Sequence, residues 1–159
     1  MKTERATFAA GCFWHIEEVF EGVPGNISTR VGYTGGKMKD PIYANVCSGI
    51  TGHVESVEVT FNPEKISYEK LLDIFWNIHD PTTKDRQGPD VGSQYNSVIF
   101  YHNESQRRAA MKSKAERQKQ MNKKIVTHIK KVTKFWQAEE YHQKYMGKHK
   151  KGFFKINQT

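Results

Sequence analysis

A two-layer α+β fold, a ferredoxin-like plait in βαββαβ order with C-terminal additions, is the architecture that this 159-residue sequence predicts. Three observations carry it. Stretches near residues 27–33, 54–61 and 95–101 either alternate apolar with polar residues or are rich in Val, Ile, Phe and Tyr, as strands are. Two stripes have helical spacing: Phe13, Ile16 and Phe20, then Leu71, Leu72, Phe75 and Ile78. Chain breakers separate these stretches, among them Gly22-Val23-Pro24-Gly25, Gly35-Gly36, Asn62-Pro63 and His79-Asp80-Pro81.

The first strand and helix span about residues 5–21. Ala6-Thr7-Phe8-Ala9-Ala10 is small, uncharged and strand-compatible, and Gly11 supplies the permissive backbone of a strand-to-helix turn. Cys12 therefore falls in the first turn of a helix, where unpaired N–H groups and the helix dipole favour thiolate over thiol. The expectation is a Cys12 pKa below that of a free thiol; the competing reading is a small buried apolar side chain. Ile27, Thr29, Val31 and Tyr33 form the second strand. A loop covers residues 37–53, and loops of that length in compact domains usually have a function.

In the third strand, residues 54–61, Val57, Val59 and Phe61 share one face, and Glu55 falls on that same face. An acid in phase with core residues is either solvated at a frayed strand end or buried. If buried, it has a raised pKa and can donate a proton near neutral pH. Ser67 is the expected N-cap of the second helix. A polar loop follows over residues 82–94, and then the fourth strand, 95–101. Asn103 with Gln106 suggests a capping box for a basic helix reaching about residue 120. A weaker strand over 125–132, a helix over 138–145 and a fraying basic tail over about 147–159 complete the chain. The whole of 1–159 reads as a single catalytic domain.

Lys and Arg number 25 against 17 Asp and Glu, a net charge of +8 concentrated in the second half. Such a run is either a nucleic-acid face or a solvated helix face, and the latter is expected here. No apolar run approaches the ~18 residues of a membrane span. Met1-Lys2-Thr3-Glu4-Arg5 lacks the apolar core of a signal peptide, so a cytoplasmic location is expected. The two cysteines, Cys12 and Cys47, make neither a disulfide scaffold nor a zinc site, and no metal is expected.

Cys12, Tyr43, Glu55, Asp90 and Tyr95 all fall in loops or at strand ends, with Phe13 and Trp14 beside the thiol. A nucleophilic thiol, a neutral acid, two phenols and an aromatic cup suit a small polarised substrate bearing an apolar group. A methyl sulfoxide fits, and so do several thioester or acyl substrates.

Gly11-Cys12-Phe13-Trp14, Gly32-Tyr33-Thr34-Gly35-Gly36, Tyr43 through Val46-Cys47-Ser48-Gly49, and Gly52-His53-Val54-Glu55 resemble peptide methionine sulfoxide reductase A. So do His79-Asp80-Pro81-Thr82, Gln87-Gly88, Asp90-Val91-Gly92, Gln94-Tyr95, Ala138-Glu139 and Tyr141-His142-Gln143. The resemblance spans about residues 8–145. It implies that Cys12 attacks the sulfoxide sulfur, Glu55 protonates the oxygen, and Tyr43 and Tyr95 hydrogen-bond it. Asp90 would hold the polar network, and Phe13 and Trp14 would wall a methyl pocket. The implied substrate is the S epimer of methionine sulfoxide, free or in oxidised proteins. The implied product is methionine, with a Cys12 sulfenic acid left behind.

No cofactor is implied, only an external thiol reductant, thioredoxin-like or a small dithiol. His53 and His79 are expected to serve structural hydrogen bonds, and the chain is expected to be a monomer that binds neither nucleic acid nor membrane. Many relatives resolve the sulfenic acid with C-terminal cysteines, which are missing here. Cys47 is the only other thiol of the chain. Relatives carry a cysteine in the matching segment even where other cysteines resolve, which implies a packed, inert Cys47 and direct attack by the external thiol. A Cys12–Cys47 disulfide is the alternative. Two rivals compete with the family reading. An RNA-binding plait lacks its aromatic strand motif here. A cysteine acyl-transferase or hydrolase would need a histidine placed against Cys12.

Overall fold

The computed structural model describes residues 2–149. Its elements in chain order are β1 (Glu4–Ala10), α1 (Phe13–Glu21), β2 (Asn26–Thr34), α2 (Tyr43–Cys47), β3 (Val54–Phe61) and α3 (Tyr68–Asn77). A short hairpin of β4 (Arg86–Gln87) and β5 (Asp90–Val91) follows, then β6 (Ser97–Tyr101), α4 (Glu104–Gln118), β7 (His128–Lys131) and β8 (Trp136–Gln137). Six strands form one mixed sheet in the order β7-β6-β1-β3-β2-β8. Neighbours are antiparallel except β6 and β7, which run parallel.

Alternation along the strands decides where the core lies. Ala6 and Phe8 of β1, Val31 and Tyr33 of β2, Val57, Val59 and Phe61 of β3, and Ile99 of β6 are buried together with Phe13, Ile16 and Phe20 of α1. Leu71, Leu72 and Phe75 of α3 join the same cluster. Its centre is aromatic: the Phe8 ring stacks 5.3 Å from Phe20 and 5.2 Å from Phe75. The residues between these positions face the other way, where Ala9, Val54, Val98 and Phe100 form a smaller cluster.

Helix ends follow the expected chemistry with one difference. Ser67 caps α3 by accepting from the Lys70 N–H at 3.1 Å, and Asn103 caps α4 by accepting from the Gln106 N–H at 2.9 Å. The reciprocal half of a capping box is absent. Gln106 accepts instead from the His102 N–H at 2.9 Å and donates to the Arg5 carbonyl at 2.8 Å, tying α4 to β1.

The loops hold more structure than the sequence predicts. Residues 37–53 contain α2, whose entry is fixed by Asn45 accepting from the Ile42 N–H. Gly36 allows the loop to close, because a Cβ there would lie 2.3 Å from the His53 nitrogen. The loop 82–94 contains the β4–β5 hairpin, and the fourth strand begins at Ser97, with Tyr95 in a 3-10 turn over Ser93–Tyr95. The strand expected at 125–132 is confined to His128–Lys131.

The helix expected at 138–145 is replaced by a 3-10 turn, Glu140–His142, after the strand β8. Side chains take the place of helical bonding. Gln143 accepts from the Val31 N–H and donates to the Val31 and Ala138 carbonyls, while Glu17 accepts from the Lys144 N–H at 2.7 Å. Lys144 adopts φ 56°, which no α-helix accommodates. Residues 145–149 are helical rather than frayed, and the rest of the expected tail lies outside the described residues.

Phe8→Ala removes the ring on which Phe20 and Phe75 stack, and should cost roughly 3–5 kcal/mol. Urea unfolding monitored by fluorescence reads this as a lowered midpoint with an unchanged slope.

Candidate active site

The site begins at the turn between β1 and α1. Gly11 has φ +99°, and a Cβ on it would lie 2.7 Å from the Gln87 side chain. Only glycine lets the loop that carries Asp90 close this tightly on the turn. Cys12 is the N-cap of α1 and half-buried; its sulfur takes no cap hydrogen bond, though the Trp14 and His15 N–H groups favour its thiolate. Glu55, the second residue of β3, is 1% exposed. Its Oε1 accepts from the Phe13 N–H at 3.3 Å, while its Oε2 has no partner. The acid is therefore buried, not frayed into water, and sits against the first turn of the helix that Cys12 caps.

Electrostatics reverse one expectation and meet the other. The Cys12 thiol is pushed up to about 11, not down. Burial outweighs the Trp14 N–H, and the carboxylates of Glu55 and Asp90 add to it. The helix N-terminus acts in the expected direction but is the smaller effect. Glu55 rises to about 8, through burial opposed by the Phe13 N–H and helped by Asp90. Near neutral pH the free site thus holds both protons, one on sulfur and one on carboxyl.

The other expected residues are close enough to act on each other. Tyr95 is raised to about 12, by burial and then by Glu55, Cys47, Asp90 and Cys12. Tyr43 is also raised, by burial, a hydrogen bond with the Cys47 thiol, and Glu55. Asp90 is half-buried at the start of β5. Cys47 ends α2 and is exposed, so the packed position expected for it does not hold: α2 leaves its last residue in contact with solvent. His53 accepts from the Gly36 N–H and bonds the Met38 carbonyl, and His79 bonds Phe75 and Ser97, so both are structural.

Sequence reasoning missed the second layer. His142 is fully buried, and its Nδ1 accepts from the Trp14 indole N–H at 2.9 Å. Its ring packs 5.1 Å from Phe13 and 4.5 Å from Tyr43, so one imidazole touches both aromatic side chains beside Cys12 and a phenol. Tyr145 stacks on Trp14 at 3.7 Å. Glu139 accepts from the Tyr33 hydroxyl at 2.9 Å and from the Tyr43 N–H at 2.9 Å, fixing the start of α2. Glu139 and His142 stand in the motifs Ala138-Glu139 and Tyr141-His142-Gln143, but those motifs carried no role for them, and the run of polar and aromatic types from Glu139 to Tyr145 also suits an exposed helix. Cavity size does not mark the site either: the 570 Å³ cavity lined by Trp76, His79 and Arg117 contains none of the five expected polar residues. Among the described residues, no group of three or more His, Cys, Asp or Glu could hold a metal ion.

Comparison with known proteins agrees with this arrangement. The family model described as peptide methionine sulfoxide reductase matches residues 4–159. The peptide methionine sulfoxide reductase MsrA of Methanothermobacter thermautotrophicus is 56% identical over 147 residues, covering 91% of this chain and 87% of that one. Among solved structures, reduced Mxr1 from Saccharomyces cerevisiae superposes with a TM-score of 0.89 at 39% identity, over 92% of this chain and 86% of that one. Mxr1 in complex with Trx2 gives a TM-score of 0.66 at 27% identity, over 91% of this chain and 85% of that one.

Alkylation of Cys12 in a Cys47→Ser background tests the thiol. The rate should keep rising with pH past the ~8.5 midpoint of a free thiol. Glu55→Gln should move that profile to lower pH, because it removes a carboxylate that opposes the thiolate.

Proposed function

The chain belongs to the peptide methionine sulfoxide reductase family and is an oxidoreductase; from that premise we propose that it reduces the S epimer of methionine sulfoxide through a sulfenic acid on Cys12. The carrying observation is the pairing of a buried, protonated Glu55 with the Cys12 thiol at one helix start. The sulfoxide oxygen lies toward the partnerless Oε2 of Glu55 and receives its proton, while the Tyr43 and Tyr95 hydroxyls hydrogen-bond it. Cys12 attacks the sulfur and forms an S–S bond; the protonated oxygen then passes to the Cys12 sulfur as that S–S bond and the original S–O bond break, which leaves the thioether and the sulfenic acid. Because the thiol begins protonated, its proton replaces the one that Glu55 gives up. In sum, thiol and sulfoxide become sulfenic acid and thioether, with no net proton released. Asp90 holds the polar network, and the Phe13 and Trp14 rings receive the methyl group.

The reductant is an external thiol, which the Mxr1–Trx2 complex supports as thioredoxin-like. It attacks the Cys12 sulfenic acid directly, releasing water, or it reduces the Cys12–Cys47 disulfide that forms when the Cys47 thiol displaces that water from the sulfenic acid. The exposure of Cys47 and its hydrogen bond with Tyr43 keep that second route in view. The order β6-β1-β3-β2 supports reading the central strands as a ferredoxin-like plait, and the whole chain as one catalytic domain. Among the described residues no helix is long and apolar enough to cross a membrane. A cytoplasmic monomer acting on free or protein-bound methionine sulfoxide, without cofactor and without nucleic acid, completes the reading.

Turnover of methionine S-sulfoxide with dithiothreitol tests the chemistry. Cys12→Ser should abolish it with the circular dichroism unchanged, and Glu55→Gln should cost roughly 10²-fold or more. For the wild type, kcat/KM should fall as pH rises through about 8, where Glu55 loses its proton. Wild-type rates for Glu55→Gln across pH would remove the acid from the mechanism.

Mass spectrometry after one turnover without reductant separates the two reduction routes. Direct attack leaves a trappable sulfenic acid on Cys12, and Cys47→Ser then turns over normally with thioredoxin. Resolution by Cys47 leaves an intramolecular disulfide, and Cys47→Ser then slows with thioredoxin.

A further inference from the structure

Away from the catalytic thiol, two adjoining cavities form one cleft between α4 and the segment leading into β7. One, of about 480 Å³, is lined by Met111, Lys114, Lys124, Ile125, His128 and Ile129 among others. The other, of about 360 Å³, shares Lys114, Lys124, Ile125, Thr127 and His128 and adds Lys84 and Asn96. Lysines on an open helix face are ordinarily solvated and need no partner. The arrangement here is different. Lys84 comes from the loop before β4, Lys114 from α4, Lys124 from the segment before β7, and His128 from β7 itself. Four elements thus line one concavity with three lysines and an imidazole.

No carboxylate lines either cavity, and among the described residues none of the three lysines forms an ion pair. Lys114 is half-buried, held by the bond from its Nζ to the Thr127 carbonyl at 2.8 Å, so its charge is fixed in place. His128 senses the result. Its pKa is lowered by burial and then by Lys130, Lys114 and Lys84, a positive potential that nothing in the cleft compensates. Met111, Ala115, Ile125 and Ile129 give the larger of the two cavities an apolar part of its lining.

We propose that this cleft is a binding site for a polyphosphate group, held by Lys84, Lys114 and Lys124 with the His128 and Asn96 side chains as further donors. Ammonium groups converging from separate elements suit an anion that carries several charges close together, which a single carboxylate does not. The ligand is either inorganic polyphosphate or a nucleoside polyphosphate whose base lies against the apolar wall. The cleft also touches the catalytic loop. Asn96 exchanges hydrogen bonds with Asp85, next to Lys84, and the Asp85 carbonyl accepts from the Gly92 N–H between Asp90 and Tyr95.

Calorimetric titration of the full chain with tripolyphosphate and with ATP, at physiological salt, tests the site. Both should bind saturably at a single site. Lys84→Ala/Lys124→Ala should weaken binding roughly tenfold or more, whereas Lys112→Ala/Lys119→Ala, which removes two lysines outside the cleft, should leave it unchanged. Turnover with dithiothreitol should be unaltered in both variants. Tighter binding of ATP assigns the apolar wall to a nucleoside, and equal affinity assigns the site to inorganic polyphosphate. Non-saturable binding, equal losses in the two variants, or complete displacement by a DNA duplex at equal phosphate concentration would reduce the lysines to an open basic face and overturn the proposal.

Discussion

One buried carboxyl group sets the terms for the rest of the site. Glu55 lies in phase with Val57, Val59 and Phe61, so the pleat of β3 carries it into the core beside them. Its single hydrogen bond comes from the Phe13 N–H, one of the donors that a helix start leaves unpaired. The acid is thus joined to the helix that begins beside Cys12, and its second oxygen has no partner. Holding it there costs stability. From pH 4.5 to about 8 the unfolded chain releases a proton that the folded chain keeps. Stability therefore falls with rising pH by up to about 1.4 kcal/mol per unit in that window. A fold selected for stability alone would place an aliphatic residue at this position.

The surroundings of the pair are aligned by the C-terminal part of the described chain. The C-terminal segment runs back across β2 and α1 as a strap, fastened where Gln143 occupies the Val31 backbone and Glu17 takes the Lys144 N–H and ammonium. Glu17 is itself a buried charge, tolerable because Lys144 and Thr29 meet it. From the strap, His142 orients Trp14 and packs on Phe13 and Tyr43, while Glu139 fixes α2 and with it both Tyr43 and Cys47. Candidate site residues from the first half of the chain are thus held by the segment 139–144 near its end.

Legibility followed the range of the interaction. Period-two and helical patterns located β1, α1, β2, β3 and α3, because those patterns are local and the burial they imply is large. Short elements with few apolar residues escaped: α2, the β4–β5 hairpin and β8 exist through loop closure at Gly36 and pairing with distant partners. The segment 138–145 misled because its composition suits a helix, whereas Gln143 and Glu17 offer its backbone better partners. The thiol is the sharpest case. Position at a helix start predicts a low pKa, and the N–H groups of the first turn do act in that direction, but the depth of burial and two nearby carboxyls dominate, and none of these is visible in a linear pattern.

By itself the sequence determined the α+β class, the place of Cys12 at a strand-to-helix turn, the in-phase acid at Glu55, and, through its motifs, the family. These rest on spacing along one or two elements, where neighbours in sequence are neighbours in space. Only the tertiary structure decided that Glu55 is buried with one oxygen free, that the Cys12 thiol is protonated, that Cys47 is exposed, and that His142 and Glu139 complete the site. Each of those depends on desolvation or on a hydrogen bond between residues dozens of positions apart, and such quantities come into being only when the sheet closes and the strap is laid across it.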